Sequence, residues 1–416
     1  MISKQTEQIQ QIKLDNGLRI VYEDIPFVRS VSFGIWVKNG SRHEDESTNG
    51  ISHFIEHMLF KGTAKRSAKE VADAMDEIGG QVNAYTSKEH TCYYTRTLDS
   101  HFDIALDVLG DMFFNSKFDP DDIKKECNVI LEEISMYEDT PEDVVHDLLQ
   151  SAVYKNSSLG FSILGTEKSI KSFDHKRFKD YIYKHYTPQN TVISVAGNLA
   201  ACDAINKIKN VFGKFEGKQT IEKSLPGLYR PTFVKKEKDI EQVHLCVGFP
   251  GIASGTPEVY TMAAINTILG GGMSSRLFQK IREENGLAYS VYSYHTGFMD
   301  TGLFAIYAAL NPAQIGDVMS LILGEIQKID ISQSQLNKTK EQLKSSFILS
   351  LESVASRMSS IGRNMLMLNR ITTADELIQK IDEINTDNFY ELCERIFKMD
   401  QMSISIVGAT DYEFPN

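Results

Sequence analysis

The chain has 416 residues, of which 42% are hydrophobic and 24% charged, and its net charge is −12. This length exceeds one ordinary hydrophobic core, so we expect at least two domains. The acidic balance argues against a nucleic-acid-binding protein. No apolar run approaches the roughly 20 residues that would span a membrane. Five scattered cysteines and a polar amino-terminal stretch predict a cytoplasmic protein with reduced thiols.

The chain opens with predicted β-strands. Residues 12–14 and 18–22 flank the sequence Asp15-Asn16-Gly17, which is a hairpin turn signal. A further strand is predicted over residues 30–38. These elements indicate that a sheet begins at the amino-terminal end of the chain.

A helix is predicted next, because apolar residues recur at i, i+3, i+4 and i+7 from Ile51 to Met58. Its polar face carries the sequence H-x-x-E-H at residues 53–57, the reverse order of the H-E-x-x-H motif of zinc proteases. His53 and His57 are four residues apart, so both imidazoles can reach one metal ion. Glu56 projects from the same side, where it can accept a proton from water at that metal.

Helices and strands alternate through the rest of this half. Helices are predicted over residues 69–78, 102–114, 120–137, 141–153 and 176–185, and strands over residues 82–86, 92–98 and 192–197.

The helix over residues 120–137 carries the candidate third metal ligand, which a catalytic zinc site requires. Glu126 and Glu133 are seven residues apart and therefore face the same way. We predict that Glu133 binds the metal and that Glu126 supports the site from behind the ligands. Glu132 is a competing ligand, but it points about 100° away from that face.

The second half of the chain repeats the outline of the first half. The offset stays near 212 residues for three pairs of elements: strands 30–38 and 242–249, the H-x-x-E-H helix and helix 259–269, and strands 193–197 and 404–408. A constant offset indicates an internal duplication. The second copy lacks the H-x-x-E-H sequence, so we expect chemistry in the first half only.

These patterns predict an α+β fold of two similar domains, each a mixed or antiparallel sheet with helices mainly on one face. We expect a catalytic zinc-binding domain over residues 1–215 and a homologous domain without the zinc motif over residues 240–416. Residues 216–239 read as a linker, with a solvated basic run at residues 235–238.

A glycine run at residues 270–272 lies where the second copy would have its motif helix end. It lacks the spacing of a phosphate-binding loop and no lysine follows it, so nucleotide binding is rejected. A part in substrate recognition stays open.

The H-x-x-E-H sequence, followed 76 positions after His57 by Glu133, resembles the pitrilysin family of zinc peptidases. The resemblance runs nearly end to end and is nearest to the branch of mitochondrial processing peptidase and its bacterial relatives. It implies one zinc ion per chain, bound by His53, His57 and Glu133. It also implies that Glu56 is the general base and that Glu126 is a supporting glutamate.

The same resemblance implies where substrate binds. Residues 80–86 look like the family's edge strand, to which an extended peptide adds by backbone hydrogen bonds, with Asn83 and Ala84 over the scissile bond. Arg282 and Tyr289 resemble the pair that holds the substrate backbone and the transition-state oxygen.

The resemblance therefore implies an endopeptidase that cuts unfolded peptides or precursor segments inside a closed chamber, as a homodimer. The acidic stretch 138–143 favours basic peptides. Three alternatives stay open: a non-catalytic scaffold subunit, a peptidase that needs a different partner subunit, and a two-histidine, one-carboxylate iron enzyme.

Overall fold

The computed structural model describes residues 9–217 and 225–412. The chain divides into two compact units, and only the described residues of each unit are discussed below. Unit 1 comprises Met1–Ile134, Phe161–Ser224 and Ile348–Thr373, and unit 2 comprises Ser135–Gly160, Leu225–Phe347 and Ala374–Asn416. Each unit thus includes a segment from the other half of the chain. The domain boundaries at 1–215, 216–239 and 240–416 stay a prediction, and residues 218–224 lie outside the described residues.

Among the described residues, the unit 1 sheet has six strands: β1 Ile9–Lys13, β2 Arg19–Asp24, β3 Ser30–Val37, β4 Gln81–Thr86, β5 Thr91–Leu98 and β6 Thr191–Gly197. Their order is β1-β2-β6-β3-β5-β4. Strands β2 and β6 run parallel, and the other neighbours run antiparallel. The predicted hairpin is confirmed as β1 and β2, and β4 lies at an edge of the sheet.

The described part of unit 2 forms a five-stranded sheet: β7 Phe233–Lys236, β8 Val243–Pro250, β9 Ala288–Gly297, β10 Gly302–Leu310 and β11 Ser403–Val407. Their order is β7-β11-β8-β10-β9, with only β7 and β11 parallel within it. This order matches β2-β6-β3-β5-β4 strand for strand, as expected of a duplication. The predicted fold class of two similar α+β domains is confirmed.

The basic run at residues 235–238 lies partly in a strand, which the prediction of a solvated segment did not include. Lys235 and Lys236 belong to β7, which pairs with β11. The ammonium groups of Lys236 and Lys238 contact Glu138 and Asp139. A basic composition did not reveal the strand, because its pairing partner lies some 170 residues further along the chain.

The helices pack on these sheets. Their bounds are α1 Ile51–Leu59, α2 Ala68–Asp76, α3 Phe102–Asn115, α4 Pro120–Glu138, α5 Pro141–Val153, α6 Glu167–Ile170, α7 His175–His185, α8 Leu199–Cys202, α9 Ala204–Phe212, α10 Val259–Leu269, α11 Ile315–Gln327, α12 Gln333–Ser350, α13 Val354–Leu368, α14 Ala374–Asp382 and α15 Thr386–Ile396. No helix in the described ranges is both long and apolar enough to cross a membrane.

One face of the unit 1 sheet carries the main core, where strand residues such as Phe33 and Ile35 pack with Phe54 of α1, Leu109 of α3 and Phe178 of α7. The opposite face is covered by α13. In unit 2, α5 likewise packs on β8 and β11, on the face opposite the larger core. Within the described ranges, most helices of each unit therefore lie on one face of its sheet, and one helix covers the other face.

Helix α13 approaches the sheet so closely that a glycine is required at the contact. A Cβ on Gly362 would lie 2.3 Å from Trp36 Nε1 and 2.6 Å from Ser194 Oγ. Gly362→Ala should lower the free energy of unfolding by about 1–3 kcal/mol through overpacking. Gly324→Ala in α11 is the matched control. Its Cβ would meet no described atom within 4 Å, so this change should raise stability by about 0.5–1 kcal/mol. Urea unfolding measures both, and equal effects would contradict the packing account.

His90 is a buried histidine in the turn between β4 and β5. Its ring lies 5.6 Å from Trp36, and its Nδ1 lies 2.9 Å from Ser87 Oγ. Burial, with a smaller contribution from Arg363, lowers the pKa of His90 to about 4. Because the folded state binds the proton less readily than the unfolded state, this stabilisation is complete above the unfolded pKa and is lost as the pH falls below it.

We therefore expect acid to destabilise the protein partly through His90. Between about pH 7.5 and pH 5, His90 should account for about 2 kcal/mol of lost stability. Urea unfolding of wild type and of His90→Asn at both pH values measures this share. An identical pH dependence in the two proteins would contradict it.

Candidate metal centre and substrate strand

Helix α1 presents its polar face because its other face is anchored in the core. Ile51, Phe54 and Ile55 are fully buried. The helix begins after Gly50, whose φ of 92° is in the left-handed region that favours glycine. A Cβ at Gly50 would also lie 2.7 Å from Gly165 Cα. This tight entry sets the rotation of α1.

His53, His57 and Glu133 come together at this face of α1. The two histidine Nε2 atoms are 3.2 Å apart. Glu133 Oε2, from α4, lies 3.7 Å from His53 Nε2 and 3.6 Å from His57 Nε2. Within the described residues, these three form the one group of histidine, cysteine or acidic side chains whose ligating atoms all lie within 4.8 Å of one another. Glu132, the competing ligand, is exposed and is not in this group.

The three atoms have the spacing of a zinc site. Zinc bound tetrahedrally at roughly 2.0–2.1 Å separates neighbouring ligand atoms by about 3.3–3.4 Å. The observed separations of 3.2, 3.6 and 3.7 Å bracket that value. Burial, and secondarily His57, lowers the pKa of His53 to about 3, so its imidazole is neutral, as a metal ligand must be.

Glu126 lies behind His57 as predicted for a supporting group. Its Oε1 is 2.8 Å from His57 Nδ1, and its Oε2 is 2.6 Å from the Lys61 ammonium. Burial opposes ionisation of Glu126, but the hydrogen bonds from His57 and Lys61 outweigh it and the pKa is lowered. The ionised carboxylate holds the proton of His57 on Nδ1 and leaves Nε2 bare toward His53 and Glu133. Lys61 was missed, because it lies beyond the end of α1, where helical spacing no longer indicates which residues share a face.

Glu56 is held from the edge strand. Thr86 Oγ1, in β4, donates a hydrogen bond of 2.5 Å to Glu56 Oε2. Burial raises the pKa of Glu56, although the Thr86 bond and His57 act against it. Sequence reasoning missed Thr86, because nothing in a strand pattern indicates which hydroxyl meets a helix 30 residues earlier.

We expect Thr86→Val to slow turnover roughly tenfold while zinc content stays unchanged. Valine has the shape of threonine but cannot donate to the Glu56 carboxylate, and hydrogen bonds to charged groups contribute roughly 1.5–3 kcal/mol. Thr86→Ser restores the donor and should restore the rate. Steady-state kinetics with metal analysis measures both. A Thr86→Ser protein as slow as Thr86→Val would contradict this assignment.

The predicted substrate strand is an open sheet edge. Strand β4 pairs with β5 through Asn83↔Tyr94 and Ala84↔Tyr93, and no other described strand pairs with it. The backbone N–H of Ala84 donates to Asn83 Oδ1 at 2.8 Å instead of to a strand. An incoming strand can therefore replace the Asn83 side chain as the hydrogen-bond partner of the Ala84 N–H group.

Arg282 and Tyr289 both belong to unit 2 and lie together there. Arg282 is in a π-helix, Phe278–Glu284, and Tyr289 is the second residue of β9. The guanidinium carbon is 4.6 Å from the centroid of the Tyr289 ring and 4.7 Å from that of Phe278. Stacking on rings orients the guanidinium plane, and the Tyr289 side chain is 77% exposed.

The glycine run has a structural reason within unit 2. Gly270 O accepts a hydrogen bond from Ser293 N in the edge strand β9, and a Cβ on Gly270 would lie 2.3 Å from that nitrogen. Ser293 Oγ donates to Asn266 of α10 at 2.8 Å. In both units a hydroxyl of the edge strand therefore donates to a helix side chain, Thr86 to Glu56 in unit 1 and Ser293 to Asn266 in unit 2. The Asn266 amide, unlike the Glu56 carboxylate, cannot serve as a base. Close approach accounts for Gly270, and the part in substrate recognition is not supported by any contact described here.

Comparison with known proteins gives the family. Residues 19–167 match the family model described as insulinase, peptidase family M16. Residues 172–343 match the one described as peptidase M16 inactive domain. An uncharacterized zinc protease of Bacillus subtilis is 47% identical over 94% of this chain and 96% of its own length. One of Rickettsia felis is 38% identical over 96% and 97%. The chain therefore belongs to the M16 peptidase family, which includes pitrilysin, and the resemblance is confirmed.

Solved structures share the fold. A protease from Helicobacter pylori has a TM-score of 0.87 and 22% identity, over 96% of this chain and 99% of that one. The structure titled peptidase M16 inactive domain from Pseudomonas fluorescens has a TM-score of 0.88 and 20% identity, over 98% and 100%. At these identities the likeness supports the two-domain fold alone.

Proposed function

We propose that this chain is a zinc-dependent endopeptidase that hydrolyses unfolded peptides or precursor segments. The observation that carries the proposal is the convergence of His53, His57 and Glu133, with ligating atoms within 4.8 Å of one another, beside the Glu56 carboxylate. The names of the relatives, zinc proteases, agree with it. A scaffold subunit has no use for such a set.

His53, His57 and Glu133 would hold one zinc ion per chain. When bound, zinc lowers the pKa of water and polarises a carbonyl oxygen. Glu56 takes the proton of the attacking water and delivers it to the leaving amine. Burial raises the pKa of Glu56, so the carboxylate accepts the proton of water more readily, and the carboxyl then gives it to the amine as the C–N bond breaks. Glu126 holds the His57 ring through Nδ1.

The substrate would add to β4 as an extended strand, with its scissile bond over Asn83 and Ala84. We assign Arg282 and Tyr289 to the substrate backbone and the oxyanion, supplied by the same chain or by a second copy. Their mutual stacking, which orients the guanidinium, supports the pairing of these two residues. A homodimer that encloses the substrate in a chamber is the assembly we propose. All five cysteines are free, which supports a cytoplasmic location.

Cleavage of an unstructured basic peptide by the purified chain tests the proposal. We expect cleavage that a chelator abolishes and that zinc, but not iron, restores. Size-exclusion chromatography of the same sample reports whether activity coincides with a dimer. A zinc-loaded chain that cleaves no peptide would overturn the proposal. Activity that appears only on adding a second, different subunit would replace the homodimer with a heteromer.

A further inference from the structure

The two candidate histidine ligands differ in what holds their rings. His57 is oriented through Nδ1 by Glu126, at 2.8 Å. His53 Nδ1 is buried and has no hydrogen-bond partner among the described residues. Metal-binding histidines usually donate a hydrogen bond from the ring nitrogen that does not bind the metal, as His57 does to Glu126. The position of His53 therefore depends on its packing and on the backbone of the first turn of α1, to which it belongs.

A buried carboxylate holds that turn. The first N–H groups of a helix lack partners within the helix, and Gly50 has no side chain to cap them. The side chain of Glu44, six residues before Gly50, caps these N–H groups instead. Its Oε2 accepts from Gly50 N at 2.8 Å and from Asn49 Nδ2 at 3.2 Å, and its Oε1 accepts from Ser52 N at 2.9 Å. A carboxylate is also the charge that a helix amino terminus favours.

The side chain of Ser52 is fixed as well. Its Oγ accepts from Asn39 Nδ2 at 2.9 Å and lies 3.3 Å from the Tyr181 hydroxyl, which donates to Asn39 Oδ1 at 3.0 Å. Asn39 and Ser52 are fully buried. The residue immediately before His53 is thus restrained at its backbone by Glu44 and at its side chain by Asn39 and Tyr181.

We propose that Glu44 is a positioning residue for the metal centre: by capping the first turn of α1, it fixes His53 against His57 and Glu133, and it contacts no ligand itself. Glu126 orients one histidine through its ring, and Glu44 orients the other through its backbone. This inference rests on the proposed function, since it takes His53 to be a zinc ligand.

Zinc affinity, measured by competition with a fluorescent chelator on the full chain, tests the inference without an activity assay. Glu44→Gln keeps the length of the side chain and one oxygen acceptor. The second oxygen becomes an NH2 group, which cannot accept from the N–H donors that it faces. We expect zinc binding about tenfold weaker, at the low end of the loss for groups outside the ligand shell. Asp99→Asn is the control. Asp99 is 6% exposed, as is Glu44, but its carboxylate is bonded to Arg29, Asn198 and Ser100 N.

A double-mutant comparison separates positioning from general destabilisation. Glu44→Gln should weaken zinc binding in the Glu126→Gln background as much as in wild type, and should have no effect in the His53→Ala background. The same loss in the His53→Ala background, or an equal loss in Asp99→Asn, would overturn the positioning role. If Glu44→Gln does not fold, Glu44→Asp, which keeps the charge but shortens the reach to Gly50 N and Ser52 N, is measured under the same criteria. Tight zinc binding by wild type with an unaffected Glu44→Gln protein refutes this inference alone, whereas wild type that binds no zinc refutes the proposed function and this inference with it.

Discussion

Glu56→Gln is expected to abolish turnover and to leave zinc binding intact. Glutamine retains an oxygen that can accept the hydrogen bond from Thr86, which is 2.5 Å from the glutamate, so the geometry at α1 is preserved. What is lost is the group that accepts a proton from water. General base catalysis contributes roughly 10²–10⁴-fold, so we expect kcat to fall by about that factor.

Steady-state kinetics and metal analysis on one sample measure this result. The zinc content of the variant is its internal control, because a collapsed site would lose the metal too. Turnover near the wild-type rate in zinc-loaded Glu56→Gln would contradict the general-base assignment.

Glu133→Gln is expected to remove tight zinc binding. The loss of a partner behind a ligand lowers metal affinity by roughly 10–100-fold, so the loss of a ligand should lower it by more than about 100-fold. Activity should fall in parallel and should return only partly at high zinc concentration.

Glu132→Gln is the matched control for this change. Glu132 precedes Glu133 on α4, but it is exposed and lies outside the group of ligating atoms. Its substitution should leave zinc affinity unchanged. Chelator competition measures both variants, and a Glu132→Gln protein with the larger loss would transfer the ligand role to Glu132.

Local patterns were sufficient for most of the fold. The hairpin at Gly17, the amphipathic face of α1 and the proline starts of α4 and α5 are all signals within one or two turns of chain. The internal duplication allowed the elements of the second half to be predicted from those of the first, since β8, α10 and β11 lie near the predicted offset. The histidine and glutamate spacings also predicted which side chains come together, because a helix fixes which residues share a face.

Contacts between distant segments were not predictable in this way. Nothing near α13 in sequence indicates that it covers the sheet of unit 1, or that Gly362 meets Trp36 there. Thr86 and Glu44 reach α1 from a strand and from a loop, and single hydroxyl or carboxyl groups carry no periodic signal. Thr86, Lys61 and Glu44 were therefore missed, while the spacing along helices pointed to His53, His57, Glu126 and Glu133.

We propose that His53, His57 and Glu133 hold the zinc that peptide hydrolysis requires. Anomalous X-ray diffraction at the zinc edge, on crystals of zinc-loaded active protein, tests it most directly. We expect one strong peak per chain, at roughly 2.0–2.2 Å from the two histidine Nε2 atoms and a Glu133 oxygen. A crystal of active protein whose zinc lies at any other residues would contradict it.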